Sequence, residues 1–284
     1  MYPNNPRNIN TFISCDSEYN DSNIVLFGAP FDSTTSYRPG SRFASAAIRN
    51  ESYGIETYSP YIDKDLSDLS IYDGGDLELP FGNPLNALNM IESYADMVYD
   101  DKKIPFMLGG EHLVTYGAVR SAVKHYRNLH IIHFDAHTDL RDQYLGEMLS
   151  HASVMRRCWE LLGNGKIFQF GIRSGERDEF IFAQEHLFIQ KFNFDGIQDV
   201  VSQLRDYPVY FTIDLDVLDP SEFPGTGTPE SGGVRFLELL NAASEVLTLN
   251  VVGMDITELS PPIDTSGSST ALACKLLREL LLRL

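Results

Sequence analysis

The sequence predicts an α/β fold: a three-layer α-β-α arrangement around a mostly parallel sheet of about eight strands. Short apolar or β-branched runs recur along the chain with helical patterns between them, and most are too apolar for half-exposed strands. Runs of that kind belong to strands covered by helices on both faces. The third observation is size. A chain of 284 residues with 43% hydrophobic content can bury a large core, and no polar or Pro/Gly-rich linker divides it. Residues 1–284 therefore read as one domain, with 1–22 as an N-terminal extension.

The expected strands, in order, are Ile24–Gly28, Leu69–Asp73, Ile104–Leu108, His130–Phe134, Ile167–Gly171, Leu187–Lys191, Val209–Ile213 and Val251–Met254. Helix starts are also legible. Asn83-Pro84 reads as an N-cap followed by a first-turn proline before the Leu85–Tyr99 run. Ser266-Gly267 precedes a closing helix over about 269–284 whose Leu-rich end must be well buried.

Composition excludes several classes. The Asn-, Asp- and Ser-rich N-terminus lacks the basic and apolar regions of a signal peptide, and no later apolar run approaches membrane-spanning length, so a soluble cytoplasmic protein is expected. Cys15, Cys158 and Cys274 are odd in number and widely spaced, which argues for free thiols over a disulfide framework or zinc ribbon. A net charge of −18 repels phosphate backbones and disfavours nucleic acid as a partner. A small cationic molecule would be drawn to a negative cleft.

In open parallel sheets ligands bind beyond the carboxyl ends of strands. The loops there are rich in chemistry. After Phe134 come Asp135, His137 and Asp139 at every second position, which alternation would turn to one side if the extended backbone continues. Two carboxylates and an imidazole so close would repel or titrate abnormally without a cation, although a helix cap or a solvated acidic cluster would use the same residues. Gly109-Gly110-Glu111-His112 lets the backbone turn tightly and sets His112 near a helix start. Asp214 and Asp216 repeat the two-residue spacing, and Asp255-Ile256-Thr257-Glu258 adds another acidic loop.

Taken together, six motifs resemble the ureohydrolases, the arginase and agmatinase family. They are Gly-Gly-Glu-His at 109–112, Asp-Ala-His-Thr-Asp at 135–139, Ser-His-Ala-Ser at 150–153, Asp-Leu-Asp-Val-Leu-Asp-Pro at 214–220, Gly-Thr-Gly-Thr-Pro-Glu at 225–230 and Asp-Ile-Thr-Glu at 255–258. Gly28-Ala29-Pro30-Phe31-Asp32 and the 37–43 stretch extend the likeness, which covers nearly everything beyond residue 24. It implies a single ureohydrolase domain with two Mn²⁺ per subunit. By that analogy His112, Asp135, Asp139 and Asp214 hold one ion, and His137, Asp135, Asp214 and Asp216 the other. An oxygen-rich donor set suits Mn²⁺, although intrinsic affinity alone would favour Zn²⁺. Such a pair supplies a hydroxide nucleophile at neutral pH.

The resemblance also implies that Glu258 pairs with the guanidinium, that Asp139 moves the proton to the leaving amine, that His151 relays protons or orients substrate, and that Thr228 lines the pocket. Departures bear on substrate. Glu111 and Leu113 flank the first histidine where many relatives carry Asp and Ser, which should tune the metal. The Leu140–Ser150 segment lacks the Asn- and Ser-rich grip that arginases use on an α-amino acid. The expectation is agmatine, cleaved to putrescine and urea in polyamine biosynthesis. Aminopropyl-agmatine, arginine, formimino-glutamate and guanidinobutyrate are alternatives; a carboxyl-bearing guanidine would want a basic residue at the mouth, for which Arg141, Arg156 and Arg173 are candidates. A deacylase-like or non-catalytic relative is the reading from another class, separable by metal content. A homotrimer or homohexamer is expected.

Overall fold

The computed structural model describes residues 10–284. All eight expected strands form: β1 (Ile24–Ala29), β2 (Ile71–Asp76), β3 (Ile104–Gly109), β4 (His130–Phe134), β5 (Ile167–Ile172), β6 (Phe188–Lys191), β7 (Pro208–Asp214) and β8 (Asn250–Thr257). They make one sheet in the order β2-β1-β3-β8-β7-β4-β5-β6, and every neighbouring pair is parallel. The sheet is thus wholly rather than mostly parallel. A two-residue antiparallel ladder, Tyr58–Ser59 with Lys64–Asp65, lies outside it.

Side-chain alternation along the strands builds the three layers. Leu26, Phe106, Ile132, Phe134, Phe211 and Ile213 face one core, together with α1 (Ala44–Glu51), α6 (Ile197–Leu204), α7 (Phe236–Val246) and α8 (Ser268–Leu281). Phe27, Met107, Ile131 and Tyr210 face the other. That second core is closed by α2 (Pro84–Asp100), α3 (Val114–His125), α4 (Val154–Leu162) and α5 (Arg177–His186). Asn83 caps α2 by accepting from the Asn86 N–H at 3.1 Å, with Pro84 at the first helical position. The closing helix buries Leu276, Leu277, Leu280 and Leu281. No described helix is long and apolar enough to cross a membrane.

Two strands run three residues past their expected ends. β8 continues from Met254 through Thr257, so Asp255 lies in the sheet instead of in the loop that follows it. Its carboxylate there accepts from Thr212 and Tyr210 of β7. β2 continues through Gly74-Gly75 to Asp76, which pairs with Gly28 of β1, and Asp73 and Asp76 both pair with Arg49 of α1. Of the expected N-terminal extension, residues 1–9 lie outside the described residues. Phe12 and Cys15 are fully buried, and Asp73 accepts from the Phe12 N–H, so this segment is packed on the β2 edge.

Candidate metal centre

The four central strands, β3, β8, β7 and β4, end together. Register sets Thr257 beside Asp214 and Phe134 beside Ile213, so Asp135, Asp214 and Glu258 leave their strands at one level. His112 arrives from the β3–α3 loop. Gly110 makes that loop possible: a Cβ there would lie 2.0 Å from the Phe31 carbonyl oxygen, whose residue accepts the Glu111 N–H at 2.8 Å.

The six anticipated metal ligands converge. His112 Nδ1 lies 3.0 Å from Asp139 Oδ2, 3.1 Å from Asp135 Oδ2 and 3.5 Å from Asp214 Oδ2. His137 Nδ1 lies 3.0 Å from Asp216 Oδ2 and 3.5 Å from Asp135 Oδ1. Asp135 therefore stands between the two imidazoles, with His112 and its carboxylates on one side and His137 and Asp216 on the other. Unbroken strand alternation does not produce this arrangement. The chain leaves β4 at Phe134, makes one parallel bridge at His137, and turns through a left-handed Asp139 at φ 53°. Glu258 is left-handed too, at φ 63°, and both buried residues hold conformations that cost free energy outside glycine. Asp216 likewise sits in a 3₁₀ turn beyond the strand carrying Asp214, whose Oδ1 accepts the Asp216 N–H at 2.9 Å.

Hydrogen bonding leaves this cluster with donor atoms that fit a metal site. Thr212 donates its hydroxyl proton to Asp255 Oδ1 at 2.6 Å, so its oxygen accepts at 3.0 Å from His112 Nε2–H. The lone pair of His112 Nδ1 then faces three carboxylates. Asp216 Oδ1 accepts the Ala136 N–H, whereas its buried Oδ2 has no hydrogen bond despite its approach to His137. Buried acceptors facing acceptors need positive charge between them. Packed together with no cation among them, these groups titrate abnormally. Burial and then the Asp135 charge push Asp139 up to about 7, and burial with Asp216 and Asp135 holds Asp214 well above the carboxylate range. Burial opposes charge on His112, yet Asp135 and Asp139 raise its pKa well above the ordinary value. Four carboxylates and two imidazoles are a donor set for a divalent metal of intermediate hardness.

Above the cluster opens a cavity of about 640 Å³. Glu258 lies at its base, anchored by its own N–H to the Gly110 carbonyl and by Oε1, which accepts the His112 N–H at 2.8 Å. Burial and the neighbouring Glu111 raise its pKa well above the carboxylate range. His151 forms a wall, its Nε2 3.4 Å from Ser36 Oγ and its N–H donating to Thr34 Oγ1 at 3.1 Å; burial and then His137 push the ring down to about 4. Thr228 lines the cavity on a loop held by Arg38, which donates to the carbonyls of Thr226 and Gly227.

The sequence marked Glu111 only as a flank of the first histidine that tunes the metal, and did not single out His133 or Gln169. Glu111, which burial pushes up to about 7, clamps the Thr34-Thr35 loop by accepting from both hydroxyls and from the Thr34 N–H. His133 Nε2 lies 2.8 Å from Asp135 Oδ2, and Gln169 lies behind it. Both carried a signal: His133 is two residues before Asp135, and Gln169 interrupts an apolar run. Of the three arginines considered for a substrate carboxylate, Arg173 is used up on the carbonyls of Gly171, Asp216, Val217, Leu218 and Glu230. Arg156 stacks on Phe182, 3.8 Å from its ring centre, and Arg141 pairs with Glu176 at 3.0 Å and Glu179 at 3.7 Å.

The family model described as the Arginase family matches residues 22–283. The chain is 46% identical over 275 residues to the agmatinase of Bacillus subtilis (strain 168), covering 95% of each. It is 38% identical over 262 residues to the N(1)-aminopropylagmatine ureohydrolase of Thermococcus kodakarensis, covering 89% of this chain and 88% of the relative. The crystal structure of agmatine ureohydrolase of Thermoplasma volcanium superposes with a TM-score of 0.88 at 34% identity, over 97% of this chain and 94% of that one.

Proposed function

The chain belongs to the arginase family of ureohydrolases, and from that premise we propose that it hydrolyses agmatine to putrescine and urea at a centre of two Mn²⁺ ions. In this reading His112, Asp135, Asp139 and Asp214 would hold one ion, and His137, Asp135, Asp214 and Asp216 the other. When bound, such a pair acidifies a water nucleophile at neutral pH and stabilises the charge that develops on the transition state.

The chain's own residues do the rest. A guanidinium is planar, delocalised and a poor electrophile, so it must be held rigidly. Glu258 is fitted to that task because the His112 N–H holds its carboxylate while its own N–H, donated to the Gly110 carbonyl, fixes its backbone. Attack on the guanidinium carbon breaks the bond to the alkyl nitrogen, and that nitrogen must leave as an amine. Asp139, beside His112 and at the cavity floor, takes the proton from the nucleophile and delivers it to the departing nitrogen. His151 orients the substrate from the wall or passes the proton outward, and Thr228 bounds the pocket.

One observation carries the choice of agmatine. The arginines that line the cavity are already engaged, Arg38 by carbonyls and Arg141 by Glu176 and Glu179, and Arg173 behind it is held by carbonyls. Half-buried Glu230 accepts at Oε1 from Ser174 Oγ at 3.0 Å and has no cationic partner among the described residues. A substrate carboxylate would meet Glu230 and a guanidinium, that of Arg38, already committed to carbonyls, whereas a distal ammonium would find an uncommitted counter-charge. The reading extends to a closed homotrimer or homohexamer in the cytoplasm, and sedimentation of a monomer would refute the assembly. The substrate test is urea release from agmatine, aminopropyl-agmatine, arginine, 4-guanidinobutyrate and formimino-glutamate with Mn²⁺. Agmatine is expected to lead; faster turnover of arginine or guanidinobutyrate would overturn the substrate assignment.

A further inference from the structure

His133 and Gln169 are wholly buried beneath the metal cluster, and neither belongs to the proposed ligand set. The Gln169 amide nitrogen donates to the Thr138 carbonyl at 2.7 Å and lies 3.0 Å from His133 Nδ1. A carbonyl oxygen only accepts, so the nitrogen of the amide, and not its oxygen, occupies this corner. Its second proton points to the lone pair of His133 Nδ1. The amide oxygen is left buried without a hydrogen bond, a cost that shows how firmly the two donated bonds set the orientation. With Nδ1 accepting, the ring proton of neutral His133 sits on Nε2, 2.8 Å from Asp135 Oδ2.

The other Asp135 oxygen, Oδ1, accepts the His137 N–H at 2.6 Å. Each oxygen thus has one fixed donor, and the rotation of the carboxylate between the two imidazole sites is determined. His112, His133 and Asp135 also lie close enough together to share an ion. The lone pair that His133 would need for that is replaced by a proton.

We propose that His133, locked in one tautomer by Gln169, is a positioning residue that sets the orientation and charge of Asp135 for metal binding and is not itself a ligand. This rests on the two-ion reading of the centre and adds a residue pair to it. A donor to a ligating carboxylate holds it ready, and losing such a partner weakens metal affinity by roughly 10- to 100-fold.

The test is Mn²⁺ titration of metal-stripped full-length protein against a competing chelator, with thermal unfolding of the stripped protein in parallel. The variants are His133→Leu, His133→Gln, Gln169→Leu and the double His133→Leu/Gln169→Leu. His133→Leu should still bind two equivalents at saturation, but about 10- to 100-fold more weakly. His133→Gln, whose amide can donate to Asp135 and accept from Gln169, should recover most of that affinity. Gln169→Leu should weaken binding on its own and add little to His133→Leu, because it acts through the same ring. Loss of one equivalent at saturation in His133→Leu would make His133 a ligand and overturn the proposal. So would additive effects in the double variant, or lowered unfolding temperatures with unchanged affinity. Should His133→Leu fail to fold, the affinities of Gln169→Leu and His133→Gln decide in the same way. Failure of the unaltered protein to bind two equivalents would instead overturn the two-ion reading itself.

Discussion

Oε1 of Glu258 accepts the backbone N–H of His112 at 2.8 Å, which ties the cavity-base carboxylate after β8 to the first imidazole after β3. A glutamine could keep that acceptor while losing the charge. Glu258→Gln should therefore retain its metal and its fold but lose roughly 10²- to 10³-fold in kcat/KM for agmatine, the scale of removing one electrostatic contact to the reacting group. Metal analysis beside steady-state kinetics checks this. Loss of metal would mean that Glu258 serves the ligand loop more than the substrate.

Asp135 stands between both imidazoles and Asp214 beside that of His112, and both carboxylates are buried. Asp135→Asn or Asp214→Asn should deplete bound metal and cut the rate by more than ~10³-fold. A variant with two ions and normal turnover would show that the bridging role lies elsewhere.

Among the described residues Glu230 has only the Ser174 hydroxyl as a side-chain partner. Replacing a charge-assisted contact by a neutral one costs about a factor of ten, so Glu230→Gln should raise KM for agmatine roughly 10-fold. The same variant should leave KM for butylguanidine, which has no distal ammonium, unchanged. An equal change for both would locate ammonium recognition at another residue.

Away from the site, Arg49 neutralises Asp73, and both side chains are almost completely buried at 4% and 0% exposure. Arg49→Met would strand the Asp73 carboxylate under the N-terminal segment that it also holds through the Phe12 N–H. The expected loss is about 3–5 kcal/mol of folding stability, read by chemical denaturation. A change below 1 kcal/mol would show that the pair is replaceable by packing.

How much of this was legible in the sequence depended on the range of the interaction. Strands buried on both faces announce themselves by continuous apolar runs, and Asn83-Pro84 marks a helix start because capping is local. Asp135, His137, Asp139, Asp214 and Asp216 could be singled out by spacing because each cluster follows one strand. The roles of Asp255, Gln169 and Arg173 were not legible, since each depends on partners far along the chain: Tyr210 and Thr212, Thr138 and His133, and the carbonyls of 216–218 and 230. The engagement of Arg141 by Glu176 and Glu179 is a tertiary fact of the same kind, and it bears directly on substrate.

The central claim is tested most directly by adding Mn²⁺ back to chelator-stripped protein while urea release from agmatine is followed. The account predicts no release from stripped protein, and activity that rises to saturation as two equivalents bind per chain. Urea release without metal, or full activity at a single equivalent, would contradict it.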